Sequence, residues 1–370
     1  MKAVILVGGE GLRLRPLTCN IPKPMVPVVN KPFLEHMIDN LRRHQIDQII
    51  LAICYLPDCI QRHFGDGSDF GVSLIYLVEQ SPLGTGGAVK NAERFLEDTF
   101  VVFNGDTFSD LDLSDMIEFH RDHKAKATIA LTPVEDPSAY GVVEIDSQSR
   151  VKRFVEKPSW EGVTSDLINA GAYVLEPEVL DLIPSGIHSM LERGLFPDLV
   201  EQSIPFFGYS SDAYWIDIGV PEDYLKLHHD ILMGKVAARF PGKSMADDIW
   251  VEEGCKIHPS ARIIGPVVIG KGCTVEQGAR ISGPAVLGAG CTVGQDTAID
   301  EAILWENVRL GKDATVRNSV VGNNSVVGDD TWVVDGSIIS DDIAIGSSNK
   351  LEHGIRIWPG NTIADNAISF

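Results

Sequence analysis

The stretch VVIGKGCTVEQGARISGPAVLGAGCTV, residues 267–293, repeats itself every six residues. Ile269, Val275, Ile281, Leu287 and Val293 are the recurring aliphatics, with a small residue four places after each. The period runs back through Ile263 and Ile257 to Val251 and forward to Ile299. Its register slips by one near Leu310 and again near Val321, then continues through Val327, Val333, Ile339, Ile345, Leu351 and Ile357 to Ile363. One inward aliphatic per turn-and-strand unit suits a triangular coil, in which three hexads complete a turn and the aliphatics stack into a continuous core. Residues 251–370 therefore read as a left-handed parallel β-helix. Cys255, Cys273 and Cys291 are spaced by 18, three sixes, which stacks them at one inward corner. They read as small buried hydrophobes in a packing ladder rather than as metal ligands. Structural support or oligomerisation is the role expected of such a coil, and its extended flat faces predict a homo-oligomer.

Upstream, a segment rich in Gly, Pro, Lys and Asp marks a linker at 234–250. Before it, residues 1–233 alternate strand-like and helical patterns. Strands are expected at Ala3 to Val7, Gln48 to Cys54, Ser73 to Val78, Thr99 to Asn104 and Ala127 to Thr132. Helices are expected at Pro32 to Gln45, Gly86 to Leu96 and Leu113 to His123. This alternation predicts an α/β, Rossmann-like domain with a mostly parallel sheet covered on both faces. Ligands of such sheets bind beyond the carboxyl ends of the strands, where the Gly8 and Asp106 loops fall.

With 370 residues, 44% hydrophobic and 22% charged, two globular domains are expected. A net charge of −21 argues against a nucleic-acid or anionic-membrane partner, because both require clustered Lys and Arg. No apolar run approaches the roughly 18 residues of a membrane span. The opening MKAVILVGGEG lacks the apolar region and cleavage site of a signal peptide, and reads as a first buried strand. The six cysteines form no CxxC pair, which fits a reducing, cytoplasmic setting.

The strongest chemical signal is GGEGLRLRPLTCNIPKPM, Gly8 to Met25. Gly8, Gly9 and Gly11 directly after a buried strand let backbone N–H groups approach phosphates closely. A dinucleotide fingerprint would need glycine at position 14, which is Leu14, and a P-loop would need Gly-Lys-Ser/Thr, which is absent. Arg13 follows instead, with a fork of donors for triphosphate oxygens. Ten residues on stands Lys23, a point charge on a stiff Pro-Lys-Pro frame.

This stretch resembles the signature of the sugar-1-phosphate nucleotidyltransferases, and later segments agree in order across the whole chain. One departure is Leu12, where many relatives have Thr. Within the family the pattern is similar to mannose-1-phosphate guanylyltransferases that carry a hexapeptide-repeat tail. The resemblance implies GTP and mannose-1-phosphate as substrates and GDP-mannose and pyrophosphate as products. In EQSPLGTGGAV it makes Glu79, Gly84 and Thr85 the nucleotide-side residues. A carboxylate at Glu79 can accept from both the ring N–H and the amine of guanine, although a solvated surface Glu is an equally good reading. In FNGDTF and YWIDIG it makes Asp106 and Asp217 the ligands of Mg²⁺, an ion satisfied by one or two carboxylates with phosphates and waters. In YGVVE, FVEKP and INAGAY it places Gly141, Glu156, Lys157 and Asn169 around the sugar phosphate. Arg13, Lys23, Asp106 and Asp217 then carry the catalysis.

Three rivals stand beside this reading. Glucose-1-phosphate with UTP or dTTP is the competing substrate pair. A non-catalytic regulatory subunit of a pyrophosphorylase assembly would tend to lose cations or metal ligands that this chain keeps. Acyl transfer by the β-helix would need a base, for which His258 and His353 are the candidates. Of the other histidines, His120 and His123 share a helical face with no third ligand apparent, and His228 and His229 are expected to be exposed near a helix end.

Overall fold

The computed structural model describes residues 1–159, 163, 165–236, 240, 242–246 and 248–369, so parts of the expected 234–250 linker lie outside the described residues. Contacts divide the chain into two compact units. One comprises Met1–Glu10 and Leu34–Asp217, the other Gly11–Phe33 and Ile218–Phe370.

In chain order the elements are β1 (Lys2–Leu6), a short hairpin of β2 (Pro27–Val28) and β3 (Lys31–Pro32), α1 (Phe33–Arg43), β4 (Gln48–Ile53), α2 (Pro57–Phe64), β5 (Ser73–Val78) and α3 (Gly84–Asn91). There follow β6 (Phe100–Asn104), β7 (Thr107–Ser109), α4 (Leu113–Asp122), β8 (Ala127–Pro133), β9 (Gly141–Ile145), β10 (Val151–Glu156), β11 (Leu167–Leu175), α5 (Phe196–Glu201), β12 (Phe206–Ser210), β13 (Trp215–Asp217) and α6 (Pro221–Leu232).

The sheet of the first unit runs β10-β9-β11-β6-β1-β4-β5, with β8 joining β11 to β12. Its β6-β1-β4-β5 half is parallel. The runs VIL in β1 and IILAI in β4 are near-continuously apolar because a parallel strand is covered on both faces. The other half is antiparallel around β11, which pairs with β6, β8 and β9. Beneath lies one core that includes Val4, Ile50, Val102, Ile129, Tyr173 and Phe196. Helix α3 begins earlier than its pattern predicts and ends at Asn91, where the chain tightens into a 3₁₀ turn over Glu93–Phe95. Its start is set by tertiary contact: Ser189 N–H donates to Leu83 O at 2.8 Å, and Gly87 N–H donates to Ser189 O at 3.0 Å.

In the second unit, short parallel strands from Ile249 to Ile363 stack in three sheets, the architecture of a β-helix. Ile269, Leu287, Leu304, Val321, Ile339 and Ile357 lie in register on one sheet. The register slips fall between Ile299 and Leu304, one hexad before the expected place, and between Val316 and Val321. Each five-residue step is closed by a turn with a left-handed residue, Glu301 (φ 49°) and Asn318 (φ 43°). The cysteine ladder is present. Cys273 and Cys291 are fully buried and Cys255 partly so. Their thiols donate to Gly270 O, Gly288 O and Trp305 O, each at 3.0–3.1 Å.

One expectation is overturned. His228 is buried, not exposed: its Nε2 accepts from Val29 N–H at 3.1 Å and its Nδ1 donates to Tyr224 O at 3.0 Å. Helical spacing puts it on the same face as Tyr224, which is the packed side of α6. Among the described residues, no helix is long and apolar enough to cross a membrane.

Candidate functional site

The carboxyl ends of β1 and β6 are joined by one hydrogen bond. Gly105 N–H donates to Leu6 O at 2.9 Å, and a Cβ on Gly105 would stand 2.5 Å from that same oxygen. Only glycine permits this crossing, and Asp106 is the first side chain beyond it. Strand β7 then pairs antiparallel with β13, with Asp217 opposite Thr107. Asp217, the last residue of the first unit, is thereby placed opposite the residue that follows Asp106, at the edge where α/β sheets bind ligands.

A polar hub supports that corner. Tyr173 is fully buried, and its hydroxyl accepts from Asn169 Nδ2 at 2.9 Å. Asn169 Oδ1 accepts from Gly171 N–H at 2.9 Å, which pins the bulge where β11 shifts register against β8. Ala170 O in that bulge accepts from Trp215 Nε1 at 2.9 Å and so ties it to β13. Asn169, expected at the sugar, thus uses both ends of its amide within the protein. Asn104, the last residue of β6, keeps a buried Oδ1 with no partner among the described residues.

On the sugar side, Gly141 pairs with Glu156 across β9 and β10. A Cβ at Gly141 would lie 3.0 Å from Glu156 Oε2. Lys157 follows in the left-handed region (φ 49°), held by its N–H donating to Tyr140 O at 3.0 Å. Side chains rarely adopt this backbone conformation unless their surroundings enforce it.

On the nucleotide side, Glu79 leaves the end of β5 and its Oε2 accepts from Leu83 N–H at 3.0 Å. Burial raises its pKa. Gly84 and Thr85 open α3. The Thr85 hydroxyl accepts from Leu191 N–H at 2.9 Å and donates to Glu192 Oε2 at 2.6 Å. Glu192 escaped the sequence reading. It is 7% exposed, on a π-helical turn over Leu191–Leu195, a conformation common at functional sites. Burial pushes its carboxyl above the usual range, and the Glu156 and Asp106 charges push it further. Glu192 is thus bonded to Thr85 and lies within the influence of Glu156 and Asp106. The available signal was a lone acid flanked by the apolar residues of MLERGLF.

Gly8 and Gly9 belong to the first unit, whereas Gly11, Arg13 and Lys23 belong to the second. Gly11 is left-handed (φ 64°), and a Cβ there would approach Lys23 Cβ and Thr18 Cγ2 to 3.1 Å. Thr18 Oγ1 donates to Gly11 O at 2.7 Å. Glycine turn and lysine are thus packed together, with Lys23 only 6% exposed and Arg13 on the surface of a 3₁₀ turn over Leu12–Leu14. His258 and His353 lie on the exposed surface of the coil, the former 2.8 Å from Ser260 Oγ.

Comparison with known proteins places the chain in a family. Residues 2–234 match the family described as Nucleotidyl transferase, and residues 246–351 match the EIF2B subunit epsilon LbH domain. The chain is 36% identical to the mannose-1-phosphate guanylyltransferase of Mycobacterium tuberculosis, over all of this chain and 97% of that one. It is 37% identical to a UTP–glucose-1-phosphate uridylyltransferase of Synechocystis, over 87% of each. Among solved structures, HddC from Yersinia pseudotuberculosis complexed with GMP-PN is 35% identical, with a TM-score of 0.53, covering 61% of this chain and 97% of that one.

Proposed function

This chain belongs to the nucleotidyl transferase family, and we propose that it transfers a guanylyl group from GTP to mannose-1-phosphate, giving GDP-mannose and pyrophosphate. One observation supports the transfer chemistry best: the pairing of β7 with β13, in which Asp217 lies opposite Thr107, the neighbour of Asp106. The choice of base and sugar leans on the whole-chain likeness to the mycobacterial guanylyltransferase. Glu79 adds a physical reason, since a carboxylate with one bond to Leu83 N–H retains acceptor capacity for guanine.

Enzymes of this family generally use Mg²⁺, and the donor set fits it. Asp106 and Asp217 supply two hard carboxylate oxygens, and the unpartnered Asn104 Oδ1 lies two residues from Asp106, available to a bound water. When bound, Mg²⁺ would neutralise triphosphate charge between these carboxylates. The protein's own groups do the rest. Arg13 holds the β- and γ-phosphates and Lys23 the α-phosphate, while Lys157 restrains the incoming sugar phosphate. An oxygen of that phosphate, already anionic at neutral pH, attacks the α-phosphorus. The α–β bridging bond breaks and pyrophosphate leaves with the electron pair. No protein nucleophile or proton transfer is needed, so catalysis rests on positioning and charge neutralisation.

We place the chemistry in residues 1–233 and assign the coil at 251–370 to support and self-association. Six free cysteines favour a cytoplasmic setting. The deciding experiment is a matrix of GTP, ATP, UTP and dTTP against mannose-, glucose- and galactose-1-phosphate, scored by pyrophosphate release. GTP with mannose-1-phosphate is expected to give the highest kcat/KM. Preference for UTP or dTTP with glucose-1-phosphate would replace the assignment, and no release with any pair would favour a regulatory subunit.

A further inference from the structure

The hexad repeat tolerates departures, and two of them coincide with contacts to the signature loop. Along one sheet of the coil, the position after each inward aliphatic reads Gly270, Gly288, Trp305, Gly322, Ser340 and Trp358. Trp305 and Ser340 replace glycine and are both buried. Burying an indole N–H or a hydroxyl is costly unless each finds a partner.

Both do, and the partners lead to residues 11–33. Ser340 Oγ donates to Pro16 O at 2.9 Å. Trp305 Nε1 donates to the Tyr224 hydroxyl at 3.0 Å, and that hydroxyl donates to Pro27 O. Three more contacts share the pattern. Asn30 Nδ2 donates to Leu287 O at 2.8 Å, Asn20 Nδ2 to Asp341 Oδ2 at 3.4 Å, and Arg356 Nη1 to Arg15 O at 3.3 Å. The anchors bracket Lys23 on both sides and begin two residues after Arg13, at Arg15. Between Leu12 and Pro32 the segment has only short 3₁₀ turns and a two-residue hairpin, too little regular structure to order its own backbone.

We propose that the coil is part of the phosphate-binding machinery, with Trp305 and Ser340 as positioning residues that fix the backbone carrying Arg13 and Lys23. This rests on reading Arg13 and Lys23 as ligands of the triphosphate. Loss of an anchor loosens the loop before GTP binds, so part of the binding free energy is spent on re-ordering it. The sugar-phosphate residues, which lie in the first unit, are spared.

The test uses full-length Ser340→Ala and Trp305→Phe with Mg²⁺, GTP and mannose-1-phosphate, beside Arg13→Ala. Each coil variant is expected to raise the KM for GTP about three- to tenfold, the equivalent of one net hydrogen bond, with the KM for mannose-1-phosphate within about twofold. Hydrogen exchange in peptides spanning 11–27 should accelerate, with peptides from 267–293 and 100–104 unchanged. Unaltered exchange in 11–27, or faster exchange with an unaltered KM for GTP, overturns the proposal. If Arg13→Ala itself leaves kinetics unchanged, the reading of the loop falls and the proposal with it. If Arg13→Ala is impaired while both coil variants match the parent, the proposal alone is wrong. Trp305→Phe deletes the indole N–H while leaving a smaller aromatic ring at the position, so it remains informative should Ser340→Ala fold poorly.

Discussion

The carboxyl edge of the sheet and the body of the coil solve opposite problems. The coil stacks near-identical units, each bonded to the next in register, so its stability comes from repetition of aliphatic contacts. The sheet edge is assembled from segments remote in sequence. It holds a glycine crossing at Gly105, a register shift in β11, a left-handed Lys157 and the buried carboxyl of Glu192. Such irregular features cost stability, and they gather where chemistry is expected. The contrast implies that single changes at the edge should strike activity, and that changes in the coil body should strike stability.

Asp217→Asn should break activity most. It keeps the β13 backbone pairing and removes a charge, so turnover at saturating substrates is expected to fall roughly 10²- to 10³-fold, as for other preorganised electrostatic groups. Near-parental pyrophosphate release with an unchanged circular dichroism spectrum would dissolve the distinction. Thr85→Val comes next. It strips the acceptor from Leu191 N–H and the donor from Glu192, which should cost about 1–3 kcal/mol in urea unfolding and raise the KM for GTP.

Ile281→Val tests the opposite side. Ile281 is fully buried in the coil, and losing one methyl should cost about 0.5–1.5 kcal/mol in the same assay with kinetics unmoved. The smallest effect is a slope. Burial and neighbouring charges hold the Glu192 carboxyl above its unfolded value, so the folded chain keeps this proton longer than the unfolded one. The resulting penalty is absent below the unfolded pKa of about 4.3 and grows as pH rises towards the folded value. Between about pH 4.5 and about pH 7.5, Glu192→Gln should therefore lose less melting temperature than the parent, and parallel curves would contradict the shift.

The coil and its cysteine ladder were legible because their signal is local and periodic: any window of 18 residues contains the whole rule. The strands of the sheet were legible for the same reason, as short apolar runs. Glu192 was not, since its meaning depends on Thr85, which lies far off in the chain. His228 was misread because nothing in HHD distinguishes the histidine that meets Val29 from the one that faces water.

Residue order alone therefore determined the hexad coil, the α/β alternation, the glycine turn and the types of side chain available for phosphate chemistry. Only the tertiary structure decided that Asp217 lies opposite Thr107, that Thr85 spends its hydroxyl on Glu192, and that residues 11–33 are fastened to the coil. Patterns within one element follow from backbone periodicity and are written into neighbouring residues. Pairings between distant segments follow from how whole elements pack, and no short window of sequence contains both partners.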